Sequence, residues 1–184
     1  KRSVEQKLHE CLTQKLPGSE AEVLWAEYVC MREALKNQIF GEIKVAEPSL
    51  TKHDASHVAN VLDNIEKLLG DEIEKIPALD FYILCVCALF HDAGNISGRA
   101  RHNQKISKVY EAIKGMAAFS RPEQAIVQRV AGAHTGRARG GSQDTLKDVP
   151  SQMSLRGHKV QAQQLAAVLR FADELAEGPQ RTSW

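Results

Sequence analysis

An all-α fold, a compact helical bundle with a long loop before its last helix, is what this sequence predicts. Apolar residues recur at helical spacing almost throughout the 184 residues, while alternating strand-like runs are scarce. Helix start signals (Pro, Ser, Thr) and a stop signal (Gly) bracket the same stretches. A chain of this length buries roughly 70% of the surface its unfolded form exposes, so a core forms without staples.

Each element has its own boundary chemistry. Pro17-Gly18-Ser19 breaks a first helix and caps a second, which carries Val23, Leu24, Ala26, Val29 and Cys30. Gly41 to Ser49 reads as an irregular link ending at Pro48. Thr51 with Asp54 makes a capping-box-like pair, so a helix is expected from there through Val58, Val61, Leu62, Ile65 and Leu69 to Gly70. Pro77 opens the most apolar helix, which ends at His91-Asp92 before Ala93-Gly94-Asn95. A looser segment, Ile96 to Arg101, leads to a helix over His102 to Lys114, closed by Gly115. Ser120 and Glu123 around Pro122 open a helix reaching Ala133-His134. From Thr135 to His158 the composition turns to Gly, Arg, Ser, Gln and Asp, which reads as a loop. The last helix is expected over His158 to Ala176, ahead of Gly178-Pro179.

Composition limits the partners. Lys plus Arg number 24 against 23 Asp plus Glu, so no global positive field draws in nucleic acid, and any anionic ligand must be held locally. Neither a basic stripe nor a set of exposed aromatics supports a nuclease. Cys11, Cys30, Cys85 and Cys87 lack a C-x-x-C spacing and read as buried, reduced thiols, which points to the cytoplasm. The longest uncharged apolar run, Phe81 to Phe90, falls short of the ~20 residues a bilayer requires, so no membrane partner is expected. The chain opens at Lys1 without a methionine, and a fragment of a longer protein is the expectation.

Four side chains carry chemistry: His57, the adjacent His91 and Asp92, and Asp173, on apolar helical segments far apart in sequence. Imidazole and carboxylate together hold a divalent ion, here manganese, magnesium, iron or zinc, with positions left for water and a phosphate oxygen. His53 lies one helical turn before His57, so both imidazoles face one pocket. Arg170, one turn before Asp173, pairs either with a site carboxylate or phosphate or in a structural salt bridge. Arg137 and Arg139 sit among glycines after His134, and either close over an anion or remain solvated. Trp25, Tyr28, Phe81 and Phe90 read as core, and His9 and His158 take no role.

The ordered H…HD…D pattern resembles the HD superfamily of metal-dependent phosphohydrolases over Leu50 to Glu177. This implies an HD-type helical bundle in a single domain, with 1–48 as an N-terminal helical extension and 49–177 as the HD core. T-x-H-x-x-x-H-V at 51–58 is similar to the cyclic-nucleotide phosphodiesterase branch, which implies His53 as proton donor to the leaving group and His57 as ligand. The metal set implied is then His57, His91, Asp92 and Asp173, with Asp92 also catalytic. Further family-like pieces are R-x-R-H at Arg99 to His102, A-G-A-H ending at His134, and L-R-F-A-D at 169–173. By resemblance His102 and His134 bind either a second ion or the substrate phosphate. The sequence most resembles HD modules of larger bacterial proteins, so further domains of the same chain are expected partners.

Two departures stand out: Asn95 occupies a place where members often carry lysine, and Thr135 follows His134 where others have a second histidine. The implied activity is hydrolysis of a phosphoester of a phosphorylated small molecule, a nucleotide or similar. The alternative is a catalytically weak nucleotide- or metal-binding sensor module.

Overall fold

One apolar helix organises the chain. In the computed structural model, which describes residues 3–46, 55–138 and 140–176, Ala78–Phe90 (α5) is buried along its whole length. Packed around it are α1 (Val4–Lys15), α2 (Gly18–Leu35), α4 (Ala55–Leu69), α7 (Arg121–Gly132) and α8 (Ala162–Ala176). A helix apolar on every side is stable only when every side is covered. The stretch Ala78–Ser97 is long and apolar enough to cross a membrane, a property the ten-residue run alone did not suggest, yet 94% of it is buried inside the bundle.

The closest pair is α4 with α8, joined by Val61, Leu62 and Ile65 from one and Leu165, Leu169 and Ala172 from the other. The valine, leucine and isoleucine side chains among these each contribute about 1.5–3 kcal/mol through burial, and the Ala172 methyl less. Asn64 Nδ2 donates to the Ala172 carbonyl across this interface at 3.1 Å, fixing the helices in register just beside Asp173. Val4, Leu8 and Leu12 of α1 belong to the same buried cluster as Leu169 and Ala172.

Several boundary signals act as read. Ser120 Oγ accepts the Glu123 amide at 3.2 Å, and α7 begins at Arg121. Ser3 and Gln6 cap α1 reciprocally. Other boundaries move. Gly41 to Ser49 does not begin as an irregular link: a π-helical turn, Lys36–Phe40, runs straight into α3 (Gly41–Ala46). Burial of Ile39, Phe40 and Ile43 overrides the weak helix preference of Gly41, and both pieces pack against the turn Ala93–Ser97 that follows α5.

The helix expected over His102 to Lys114 is also divided. His102–Gln104 is a 3₁₀ turn preceded by Arg101 in the left-handed region at φ 55°, and only Ile106–Ala112 (α6) is α-helical, because the backbone leaves the helical region at Lys105, φ −100° and ψ 7°, between the two pieces. The 135–158 segment is not featureless. It holds a 3₁₀ turn, Thr145–Asp148, and a two-stranded antiparallel hairpin of β1 (Met153–Leu155) and β2 (His158–Val160). Arg156 and Gly157 at its tip both have positive φ, 50° and 80°, as a two-residue hairpin turn requires. The last helix therefore starts at Ala162 instead of His158, its first turn anchored where Asp80 Oδ1 accepts the Gln161 amide at 2.8 Å.

Cys11, Cys85 and Cys87 are buried and free, as expected, but Cys30 is exposed on α2. Tyr28, Phe81 and Phe90 are core, whereas Trp25 is only half-buried and meets His9 at a tilt of 42°, ring centroids 4.7 Å apart.

Candidate metal centre

His57 comes from the first turns of α4, His91 from the C-cap of α5, Asp92 from the next residue and Asp173 from α8. The α4–α8 interface and the end of α5 thus bring three distant sequence segments to one point. His57 Nε2 lies 3.0 Å from Asp173 Oδ1, 3.2 Å from His91 Nε2 and 3.5 Å from Asp92 Oδ2. His91 Nε2 is 3.4 Å from Asp173 Oδ1 and 3.5 Å from Asp92 Oδ2. Donors on one ion at about 2.1 Å are about 3.0 Å apart in an octahedron and about 3.4 Å in a tetrahedron, so the spacing suits a shared ion.

A second group adjoins the first. His102 Nε2 is 3.0 Å from Asp92 Oδ1 and 3.1 Å from His134 Nε2, which is itself 3.5 Å from that oxygen. Asp92 therefore turns Oδ2 to the inner set and Oδ1 to the outer one. Either set, His57, His91, Asp92 and Asp173 or Asp92, His102 and His134, could hold a metal ion.

Backbone carbonyls set the tautomers. Nδ1 of His91 donates to Ala88 O at 2.9 Å, that of His102 to Arg99 O at 3.1 Å and that of His134 to Ala131 O at 2.6 Å. With Nδ1 committed to a carbonyl, each Nε2 is the atom left for a metal, the arrangement metal-bound histidines adopt; on His91 an ion would displace the proton that the neighbouring carboxylates otherwise hold there. His102 and His134 then aim lone pairs at each other, and only a cation or a shared proton relieves that repulsion. The donor set fits a divalent ion.

Protonation follows the same field. Burial lowers the basicity of His91, but the Asp92 charge and the Asp173 hydrogen bond outweigh it and raise its pKa to about 9. Burial works against ionising Asp173, yet the hydrogen bonds from His57 and His91 hold its carboxyl well below the usual carboxylate range.

Three residues that hold the site were not recognised from sequence. Asn95 removes a cation, as noted, but its Nδ2 donates to the Asp92 backbone carbonyl at 2.9 Å and to Asp92 Oδ1 at 3.2 Å, so it orients the shared carboxylate. Gly94 lies so close under the His102 carbonyl that any Cβ would collide with it. Asn103 Nδ2 donates to the Gly132 and Thr135 carbonyls at 2.8 and 3.1 Å, clipping the His102 turn to the end of α7 beside His134. The H-D-A-G-N and R-H-N strings contain these residues, but nothing in the strings shows which backbone they meet.

The remaining site candidates divide. Arg170 does not meet Asp173: Nη1 donates to Thr145 Oγ1 at 3.1 Å and to Gln143 O at 3.4 Å, and the Thr145 hydroxyl donates to Ala133 O, next to His134. Its role is structural, bracing α8 against the end of α7. Arg137 donates to the Gly141 carbonyl at 3.0 Å and lines a cavity of about 490 Å³ onto which Asp92, His102, His134 and Asp173 open. His53 and Arg139 lie outside the described residues.

Residues 47–183 match the family model HD-CE, an HD-type domain. The chain belongs to the HD-CE family. Comparison with curated proteins and with solved structures gives no match.

Proposed function

We propose that this chain is a metal-dependent phosphohydrolase acting on a phosphoester of a small, nucleotide-like molecule. The observation that carries the reading is Asp92, one carboxylate whose two oxygens face two adjoining donor sets. In this reading His57, His91, Asp92 and Asp173 hold one divalent ion, manganese, magnesium, iron or zinc. His102 and His134 hold a second ion or the non-bridging phosphate oxygens. A divalent ion bound there supplies water of lowered pKa and neutralises charge developing at phosphorus.

The chain's own groups do the rest. Asn95 keeps Asp92 in place, and the carbonyls of Ala88, Arg99 and Ala131 keep three imidazoles in one tautomer. His53 donates the proton to the leaving oxygen, and Arg137 with Arg139 steadies the phosphate. The competing reading, a sensor that binds without turnover, draws on the missing lysine at Asn95 and the single histidine at His134.

The test is stripped protein titrated with manganese and assayed on bis(p-nitrophenyl) phosphate, p-nitrophenyl phosphate and a nucleotide panel. Hydrolysis that requires the metal and disappears in Asp92→Ala is expected. Metal and nucleotide binding without hydrolysis of any compound sinks the hydrolase reading and leaves the sensor.

A further inference from the structure

The cavity beside the donor sets has an unusual wall. Apart from the imidazoles of His102 and His134, its lining among the described residues holds no aromatic or aliphatic side chain, whereas sites for drug-sized ligands and cofactors are mostly apolar. In place of such a surface stand Arg99, Arg101 and Arg137. Arg99 and Arg101 are exposed, and among the described residues neither guanidinium has a partner. No phenylalanine, tyrosine or tryptophan lines the cavity as a platform for a base; the imidazoles belong to the donor set and the guanidiniums are the phosphate-matching groups.

The arginine rim is built and held. Arg101 is kept at φ 55°, a conformation that costs a non-glycine residue energy. Lys105 Nζ donates to Ser97 O at 2.7 Å and Gly98 O at 2.9 Å, tying down the loop that carries Arg99. The Asn103 clip then draws the Arg101 side of the rim to the Gly136-Arg137 side.

Charge points to the same ligand. The lining carboxylates Asp92, Asp173 and Glu174 are matched in number by the three arginines. With the imidazoles neutral, every divalent ion bound adds two uncompensated positive charges. A phosphodiester carries a single negative charge and leaves an excess, a phosphomonoester's two charges balance one ion only, and consecutive phosphoryl groups supply enough for both donor sets. Guanidinium forks match phosphate oxygens two at a time.

We infer that the site takes an oligophosphate, two or more consecutive phosphoryl groups read through their oxygens and without reading a base, free or as the tail of a nucleotide. This rests on the metal-dependent hydrolase reading above and moves the scissile bond from a phosphoester to the phosphoanhydride between two phosphoryl groups. In the reaction a water oxygen bonds to the terminal phosphorus and the bond from that phosphorus to the bridging oxygen breaks. The electron pair stays on the departing phosphate, which takes up the proton of the general acid named in the hydrolase reading. One proton of the water restores that acid and the other stays on the orthophosphate, so the products are hydrogen phosphate and a shortened chain.

Turnover of inorganic tripolyphosphate, ATP, GTP, CTP, UTP and bis(p-nitrophenyl) phosphate by the manganese-loaded chain tests this. Calorimetric binding of the non-hydrolysable imidodiphosphate accompanies it, on the parent, Arg99→Ala and Arg101→Gly, the glycine chosen because it accepts positive φ without strain. Tripolyphosphate is expected to exceed the diester at least about tenfold in kcat/KM, with the four nucleotides within about fivefold of one another. Each arginine variant should weaken imidodiphosphate binding about tenfold while binding manganese normally. A preference for one base beyond about hundredfold, better turnover of the diester, or unchanged imidodiphosphate binding in both variants overturns the inference. Arginine-dependent binding without turnover of any compound supports the subsite and strikes the hydrolase reading instead.

Discussion

The inner and outer donor sets differ in what holds them. His57, His91 and Asp173 project from regular helices whose contacts are apolar core, with His91 fully buried. His102 sits on a 3₁₀ turn, is only half-buried, and keeps its place through a glycine contact and one asparagine clip. The inner set is therefore fixed by the whole fold and the outer one by a few local contacts. The first should keep its ion tightly, and the second should be adjustable or shared with substrate.

Asp92→Ala breaks both sets at once and should have the largest effect. Turnover is expected to fall at least about 10³-fold, and manganese should no longer raise the melting temperature. His57→Ala and His102→Ala then separate the two: elemental analysis should show the first losing the inner ion and the second retaining it.

Gly94→Ala strikes the outer set without changing a donor. Its Cβ must push the His102 carbonyl away, so turnover should drop by about 10- to 100-fold while the inner ion stays. An inner ion lost along with His102 would show that the two sets are one cooperative unit. Asn95→Ala loosens the carboxylate common to both, and metal affinity should fall about 10- to 100-fold, measured by competition with a chelator.

The smallest effect on activity is expected at a buried carboxylate that lacks imidazole neighbours. Glu123 is fully buried, one oxygen accepting from the Tyr82 hydroxyl at 3.3 Å and the other unpaired among the described residues. Burial, with the Glu27 charge, raises its pKa from 4.5 to about 7, opposite in direction to Asp173. The folded chain thus holds a proton that the unfolded chain releases. The resulting stabilisation is complete below about pH 4.5 and is lost as pH rises through about 7. Glu123→Gln cannot ionise, so melting curves at pH 8 should show it more stable than the parent by about 2–3 kcal/mol, with little difference at pH 5. Equal behaviour at both pH values would show that Glu123 is solvated or paired.

Much of the fold was legible because helical periodicity is local. The apolar run before His91, the Ser120 cap and the α4 face are written in adjacent residues. The errors fall where tertiary contacts override local preference: buried Ile39 and Phe40 carry a helix through Gly41, and the backbone leaves the helical region at Lys105, dividing the helix expected from His102. The hairpin at 153–160 was hidden because its strands are three residues long and its turn has Arg-Gly in place of a common pair.

The sequence by itself determined the donor types and their order, since a single His-Asp pair could be a solvated helix end and only the ordered H…HD…D pattern, through its family resemblance, marks the four as one set. It left undecided whether His102 and His134 join the site and what Arg170 does. Only the tertiary structure settled their places, turning the two oxygens of Asp92 to different neighbours and sending Arg170 to Thr145. The physical reason is reach. Periodicity reports the face of a helix a residue occupies, but a ligand set depends on distances of about 3 Å between segments that meet only when the core packs.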